Sequence, residues 1–190
     1  TRSKRNRTIW RKAARLPGRA VRGVQNLLDY SPETVRLLPG HRLRLLIDGA
    51  ETFPRMLQAI EEAKEYIHLE TYIWEPDEVG LRFSEALCRK AREGVRVRVI
   101  FDSFGSSSLT WGFIEDLKDA RVQVLEFRPI VGMLGSWDGM ERLSRRDHRK
   151  ILVVDGQTSF CGGINLGMNY APKSEGGKGW RDTHLEIEGP

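Results

Sequence analysis

Between residues 41 and 127 the chain exchanges a period-two hydrophobic pattern for a period-3.6 pattern and back again, several times over. Residues 41–47 read as a strand that turns at Asp48-Gly49. Phe53, Met56, Leu57, Ile60 and Ala63 then follow one face of a helix, with Thr52 as its N-cap and Pro54 in its first turn. Residues 66–73 alternate, which sets Tyr66, His68, Glu70 and Tyr72 on one face and Ile67, Leu69, Thr71 and Ile73 on the other. A helix over 79–93 closed by Gly94, a strand over 95–101, a Gly/Ser loop over 103–108, a short helix over 111–119 and a strand over 122–127 continue the series. Repeated strand-helix-strand units join parallel strands through right-handed crossovers, so the fold class is α/β. At 190 residues with 39% hydrophobic and 30% charged side chains, one core of that kind is expected, and no run approaches the roughly 18 apolar residues of a membrane span.

The pattern then changes. Residues 128–147, with Pro129, Gly132, Gly135 and Gly139, keep no period and read as a long loop. Residues 150–154 and 158–161 flank Asp155-Gly156-Gln157 as a β-hairpin. A Gly/Lys/Ser-rich loop over 172–179 precedes a last strand over 183–188.

The chemistry gathers on this second part. His148, Lys150, Asp155, Gly162, Gly163 and Asn165 stand at the spacing HxKxxxxDxxxxxxGGxN. On a strand, residues two apart share a face, so His148 and Lys150 project together while Arg149 points away. A neutral imidazole beside an ammonium suits attack on an anionic phosphodiester, the imidazole as nucleophile and the lysine as phosphate binder. Gly162 and Gly163 permit close backbone approach, and the Asn165 amide offers a donor to a phosphoryl oxygen.

Asp155 is the third motif position, counted with the catalytic set, although its place at the turn reads more simply as a structural turn former. A nucleophilic histidine needs an acceptor on its other nitrogen, for which Asp182 is the first candidate and Glu186 the second. His68, with Glu70 on the same strand face, and His184 are secondary candidates for acid/base work. Cys88 and Cys161 lie far apart without a metal-ligand spacing, so neither a metal site nor a cofactor is expected.

Charge is unevenly spread. Residues 1–28 hold nine basic side chains and no acid, whereas the remainder holds 22 basic against 26 acidic ones. A basic arm over residues 1–40 therefore precedes a domain over 41–190. Such an arm binds anionic lipid or a nucleic-acid backbone. Ile9, Trp10, Ala13, Ala14, Leu16 and Val21 between the charges favour a membrane surface.

The spaced motif resembles the HKD signature of the phospholipase D superfamily. The stretches LRLLIDGAETFPRMLQAIEEAKEYIHLETYIW, GVRVRVIFDSFGS, RRDHRKILVVDGQTSFCGGINLG and WRDTHLEIEGP look like the amino-terminal half of bacterial cardiolipin synthases and related phosphatidyltransferases. The resemblance implies an α-β-α sandwich with a mixed, largely parallel sheet. It also implies transfer of a phosphatidyl group to an alcohol through a phosphohistidine on His148, with Lys150 and Asn165 binding phosphate. It implies further a second HKD half, in the same chain or in a homodimer partner, and peripheral attachment at the cytoplasmic face of the bacterial inner membrane. An anionic phospholipid is the expected substrate; hydrolysis of a lipid or nucleic-acid phosphodiester is the alternative.

Overall fold

The computed structural model describes residues 39–130 and 146–190, and residues Gly40–Pro190 form one compact unit. The basic arm, apart from its last two residues, and most of the 128–147 loop lie outside the described residues.

Strand β1 (Arg42–Ile47) runs directly into helix α1 (Asp48–Glu62). The helix begins four residues before the expected cap at Thr52. Asp48 takes a left-handed φ of 57°, the Glu51 carboxylate accepts from the Ile47 amide at 2.8 Å, and the Thr52 hydroxyl donates back to the Asp48 carbonyl. The first turn is thus closed by side chains already inside the helix. Next come β2 (Tyr66–Thr71), α2 (Glu78–Arg92), β3 (Arg96–Asp102), α3 (Trp111–Asp119) and β4 (Gln123–Phe127). Asp77 and Thr110 cap α2 and α3 by accepting from Gly80 and Phe113 amides. The hairpin β5 (Ile151–Val154) and β6 (Thr158–Gly162) and the strand β7 (Thr183–Glu188) complete the sheet. Strand β2 ends at Thr71 and β5 starts at Ile151, so Tyr72, His148 and Lys150 lie just beyond strand ends and not within strands.

The seven strands run in the order β1-β7-β6-β5-β2-β3-β4. The sheet is mixed, but the expectation of a largely parallel one is corrected. Only the β2-β3 and β3-β4 pairings are parallel, and the other four are antiparallel. The helical pattern fixed each crossover without fixing neighbours. Strands β1 and β2 do run in one direction, and the hairpin and β7 insert between them.

The described helices cover one face of this sheet. Phe53, Met56 and Ile60 of α1, Phe83 and Leu87 of α2, and Phe113 and Leu117 of α3 join Ile67, Leu69, Val97, Val99, Leu152 and Phe160 of the sheet in one apolar cluster. Burying such side chains is worth about 1.5–3 kcal/mol each and dominates the stability of the layer pair. Cys88 is buried and Cys161 half-buried, both as free thiols. Among the described residues no helix is long and apolar enough to cross a membrane.

Two consequences of the topology position the site. The end of β2, the start of β5, the end of β6 and the start of β7 all meet at one end of the sheet. At its edge, Arg42 of β1 is in register with Glu188 of β7, so the described domain is entered and left side by side.

Candidate active site

Five segments converge at that end. His148 is exposed, Arg149 is exposed and Lys150 is half-buried in the extended run that leads into β5. The run is anchored from behind by acids. The fully buried Asp102 carboxylate, at the end of β3, accepts from the Asp147 amide at 3.1 Å and from the Phe104 and Gly105 amides. Arg146 approaches the same carboxylate at 3.7 Å. Arg149 turns away from Lys150, as alternation requires, and grips both Asp147 oxygens at 2.9 Å and Glu70 at 2.8 Å. The backbone of the 146–150 segment is thereby fixed on both sides of His148.

The two motif side chains meet an aromatic ring. The His148 imidazole stacks on Tyr72 with centroids 3.8 Å apart and planes 24° apart. The Lys150 ammonium stands 5.1 Å from the centroid of the same ring and donates to the His148 carbonyl at 2.6 Å. Burial lowers the Lys150 pKa, while Asp147 and Asp182 pull it back up.

Opposite them lies the end of the β6-β7 pair. Continuing the β5-β6 register by one residue sets Lys150 across from Gly162, which pairs with His184. A side chain at Gly162 would strike the Thr183 carbonyl and the His184 ring, and one at Gly163 would overlap the Asp182 carboxylate. The glycine pair therefore admits β7 and Asp182 to the site, where the sequence suggested room for a phosphate. Asp182 is held by its amide to Asp48 Oδ1 at 2.9 Å and by its Oδ1 to the Thr183 amide at 2.7 Å. The first orienting candidate thus faces the motif at Gly163.

Glu186, the second candidate, does not. It is buried in β7 four residues beyond Asp182, ion-paired to Arg55 of α1 and 3.8 Å from Arg44 of β1. A carboxylate gripped by two guanidiniums has its acceptor capacity used on the helix side.

Asn165 is buried and largely committed. Its oxygen accepts from the Ile73 amide at 3.1 Å and its amide donates to the Tyr170 hydroxyl at 2.9 Å, which leaves its second N–H outside these two bonds. It ties the residues just beyond β2 to the 166–170 turn.

Asp155 sits at the far end of β5. Its carboxylate accepts from the Lys64, Glu65 and Tyr66 amides at 2.8–2.9 Å, and its φ of 53° begins the hairpin turn. Burial raises its pKa, and the three donors more than offset this, leaving the carboxyl below its ordinary value. Seven extended residues separate it from His148, about 23 Å, so the two side chains sit at opposite ends of β5. An open cleft of ≈ 720 Å³ at that end, lined in part by Lys64, Lys90 and Asp155, contains no histidine.

The secondary candidates divide. His68 is exposed mid-strand, its ring tilted 36° against Tyr66 with centroids 4.8 Å apart; burial lowers its pKa, with help from Arg98 and Arg96. Four strand residues, about 13 Å, keep it from Tyr72. Glu70 reaches the motif segment through Arg149. Burial, then the hydrogen bond with Asp147 and its negative charge, push the Glu70 pKa up to about 7, against the pull of Arg149. His184 is fully buried, with Nδ1 accepting from the Ile164 amide at 3.3 Å and Nε2 without a partner among the described residues. Burial takes its pKa down to about 4, so it is a neutral Nε2–H donor. Among the described residues no group of three or more His, Cys, Asp or Glu is arranged to hold a metal ion.

Tyr72, Asp102 and Asp147 were not singled out by the sequence. Alternation placed Tyr72 on the face of Glu70, the one available signal. The contacts of Asp102 with residues 104–105 and 147 join segments that no local pattern links.

The comparisons with known proteins fit this geometry. A family model described as the PLD-like domain of cardiolipin synthase matches residues 56–175. Cardiolipin synthase 1 of Bacillus anthracis is 42% identical over 146 residues, covering 77% of this chain and 28% of that protein. The cardiolipin synthase of Halalkalibacterium halodurans is 41% identical over 170 residues, covering 90% of this chain and 31% of its own length. The chain therefore spans less than a third of these relatives. Among solved structures, the phospholipase D family member Nuc of Salmonella typhimurium superposes with a TM-score of 0.55 at 16% identity, over 78% of this chain and 84% of that one. The phosphatidylserine synthase of Haemophilus influenzae does so with a TM-score of 0.58 at 18% identity, over 77% of this chain and 33% of the other. At those identities the two structures speak for the fold alone. With more than half its length matched by the family model, the chain belongs to the cardiolipin synthase PLD-like domain family.

Proposed function

We propose that this chain supplies the nucleophilic half of a phosphatidyltransferase of the cardiolipin synthase type. The reading rests on the meeting of His148, Lys150 and Asp182 at one end of the sheet, in a chain whose curated relatives carry that name. In the proposed step a ring nitrogen of His148 attacks the phosphorus of an anionic phospholipid. A P–N bond forms as the P–O bond to the leaving alcohol breaks, and the other ring nitrogen keeps its proton, held by Asp182. Lys150 neutralises charge on the phosphoryl oxygens, and the free Asn165 N–H adds a donor. The leaving alkoxide takes its proton from a histidine of a second HKD motif, in the same polypeptide or a homodimer partner. An acceptor alcohol, such as the glycerol of a second phosphatidylglycerol, then gives its hydroxyl proton back to that second histidine and forms the new P–O bond as the P–N bond to His148 breaks.

The place of work in this reading is the cytoplasmic face of a bacterial inner membrane, with the basic arm of residues 1–28 drawn to anionic headgroups. The test is incubation of the polypeptide that carries these residues with labelled phosphatidylglycerol vesicles, an alkaline quench and mass spectrometry of the His148 peptide. A phosphatidyl adduct on His148 together with cardiolipin and glycerol is the expected result. Cardiolipin formation that survives His148→Ala would refute it. Turnover should also persist in EDTA, since charge stabilisation comes from Lys150 and amide donors; loss in EDTA with rescue by a divalent ion would count against the mechanism.

A further inference from the structure

Tyr72 belongs to no motif, yet it touches both motif side chains. It is the first residue beyond β2 and is itself held on several sides. Its carbonyl accepts from the Ser106 hydroxyl at 3.0 Å, and that hydroxyl accepts in turn from the Trp74 amide at 3.0 Å. A side chain at Gly105 would strike the Tyr72 carbonyl and come within 2.9 Å of the ring edge, so the 103–108 loop backbone is packed against the ring. Tyr72 thus occupies a fixed place before His148 and Lys150 are laid on it.

We propose that Tyr72 is the positioning residue of this site, an aromatic floor that sets the His148 imidazole and the Lys150 ammonium at one phosphate. His148 is exposed and lies in the 146–150 run before β5, so nothing in the strand ladder restrains its rotamer. Stacking at 3.8 Å removes that freedom. The ring also acts on charge. While His148 is neutral the contact is ordinary stacking; once the P–N bond has formed, the ring nitrogen that keeps its proton leaves the imidazole cationic. The electron-rich face of tyrosine attracts a cation more strongly than a neutral ring, so the contact strengthens as the bond forms. The same attraction holds Lys150, which its partial burial otherwise disfavours as an ammonium. The tyrosine hydroxyl has no part in this, which separates positioning from acid/base chemistry.

This role rests on His148 being the nucleophile, so the test reads the contact and the reaction separately. The first readout is the ring protons of His148 in spectra of the chain with labelled histidine, identified among the four histidines by His148→Gln. A stacked ring displaces them upfield. The displacement should be present in the unaltered protein and in Tyr72→Phe and absent in Tyr72→Leu. The second readout is phosphatidyl transfer from phosphatidylglycerol vesicles. Tyr72→Leu should lower kcat about tenfold with KM changed less than about twofold, and Tyr72→Phe should keep the full rate. Equal melting temperatures of the two variants show that neither result is an effect of unfolding. The proposal is overturned if Tyr72→Leu keeps the displacement or the full kcat, or if Tyr72→Phe loses as much as Tyr72→Leu. Absence of transfer by the unaltered protein would instead count against the proposed function, and the displacement would still decide whether the floor exists.

Discussion

The two ends of strand β5 hold residues of one spaced motif and use them in opposite ways. At the lower end, the Asp155 carboxylate is saturated by three backbone donors and fixes the β2 and β5-β6 backbones to one another. At the upper end, His148 is exposed on an aromatic ring, Lys150 holds a backbone carbonyl it can release, and a buried imidazole nitrogen of His184 lacks a partner among the described residues. A saturated group stabilises; an unsaturated one is available to a ligand. Motif membership alone therefore does not separate chemistry from scaffold, whereas hydrogen-bond saturation does.

That contrast is most exposed to failure at His148. Substitution by Ala should lower phosphatidyl transfer by at least about a thousandfold while leaving the unfolding midpoint in urea unchanged. Lys150→Ala should follow with a loss of roughly a hundredfold or more in kcat, equivalent to about 3 kcal/mol of barrier, again with little change in stability. The lower end should behave inversely. Asp155→Ala should cost about 2 kcal/mol of folding stability, read by urea titration, and leave kcat per folded molecule nearly intact. Asp155→Asn should lose less, because Asn keeps one acceptor and tolerates the left-handed φ. A large fall in kcat for Asp155→Asn in fully folded protein would erase the distinction between the two ends.

The smallest effect is a difference in pH response, confined to the upper end. His184 titrates near 4 in the fold against an ordinary 6.5, so between those values the unfolded chain takes up a proton that the folded one refuses. Stability falls as pH drops through that window. Glu70 is shifted the other way, up to about 7 from 4.5, so the folded state holds the extra proton and stability falls as pH rises from 4.5 to 7. The two slopes oppose each other over most of the range. Urea midpoints of the unaltered protein should vary little from pH 4.5 to 6.5, those of Glu70→Gln should drop on acidification, and those of His184→Leu should drop as pH rises.

Local pattern made the elements of this fold readable, and long-range pairing was what it hid. The helices and most strands stood out because one face of each is apolar at a fixed period. The neighbours of β2 did not, since placing β5 beside it requires a pairing across 80 residues that periodicity does not encode. The same division runs through the site. His148, Lys150 and the glycine pair were visible because spacing on extended chain predicts which side chains project together. Asp182 was nameable because a nucleophilic histidine calls for an acceptor, but Glu186, equally acidic and four residues on, could be separated from it only by seeing Arg55 and Arg44. Tyr72 carried no signal beyond its strand face, because its significance lies in a contact with a residue 76 positions away.

The side-by-side pairing of Arg42 with Glu188 has a consequence for how such a domain is used. A fold whose entrance and exit share a sheet edge can be spliced into a host polypeptide, repeated in series or re-cut at a new pair of ends without dragging its interior apart. In this sheet the Arg42–Glu188 pairing lies at the end of β7 away from His184, so strain applied there is separated from the contacts around His148 by the length of the strand.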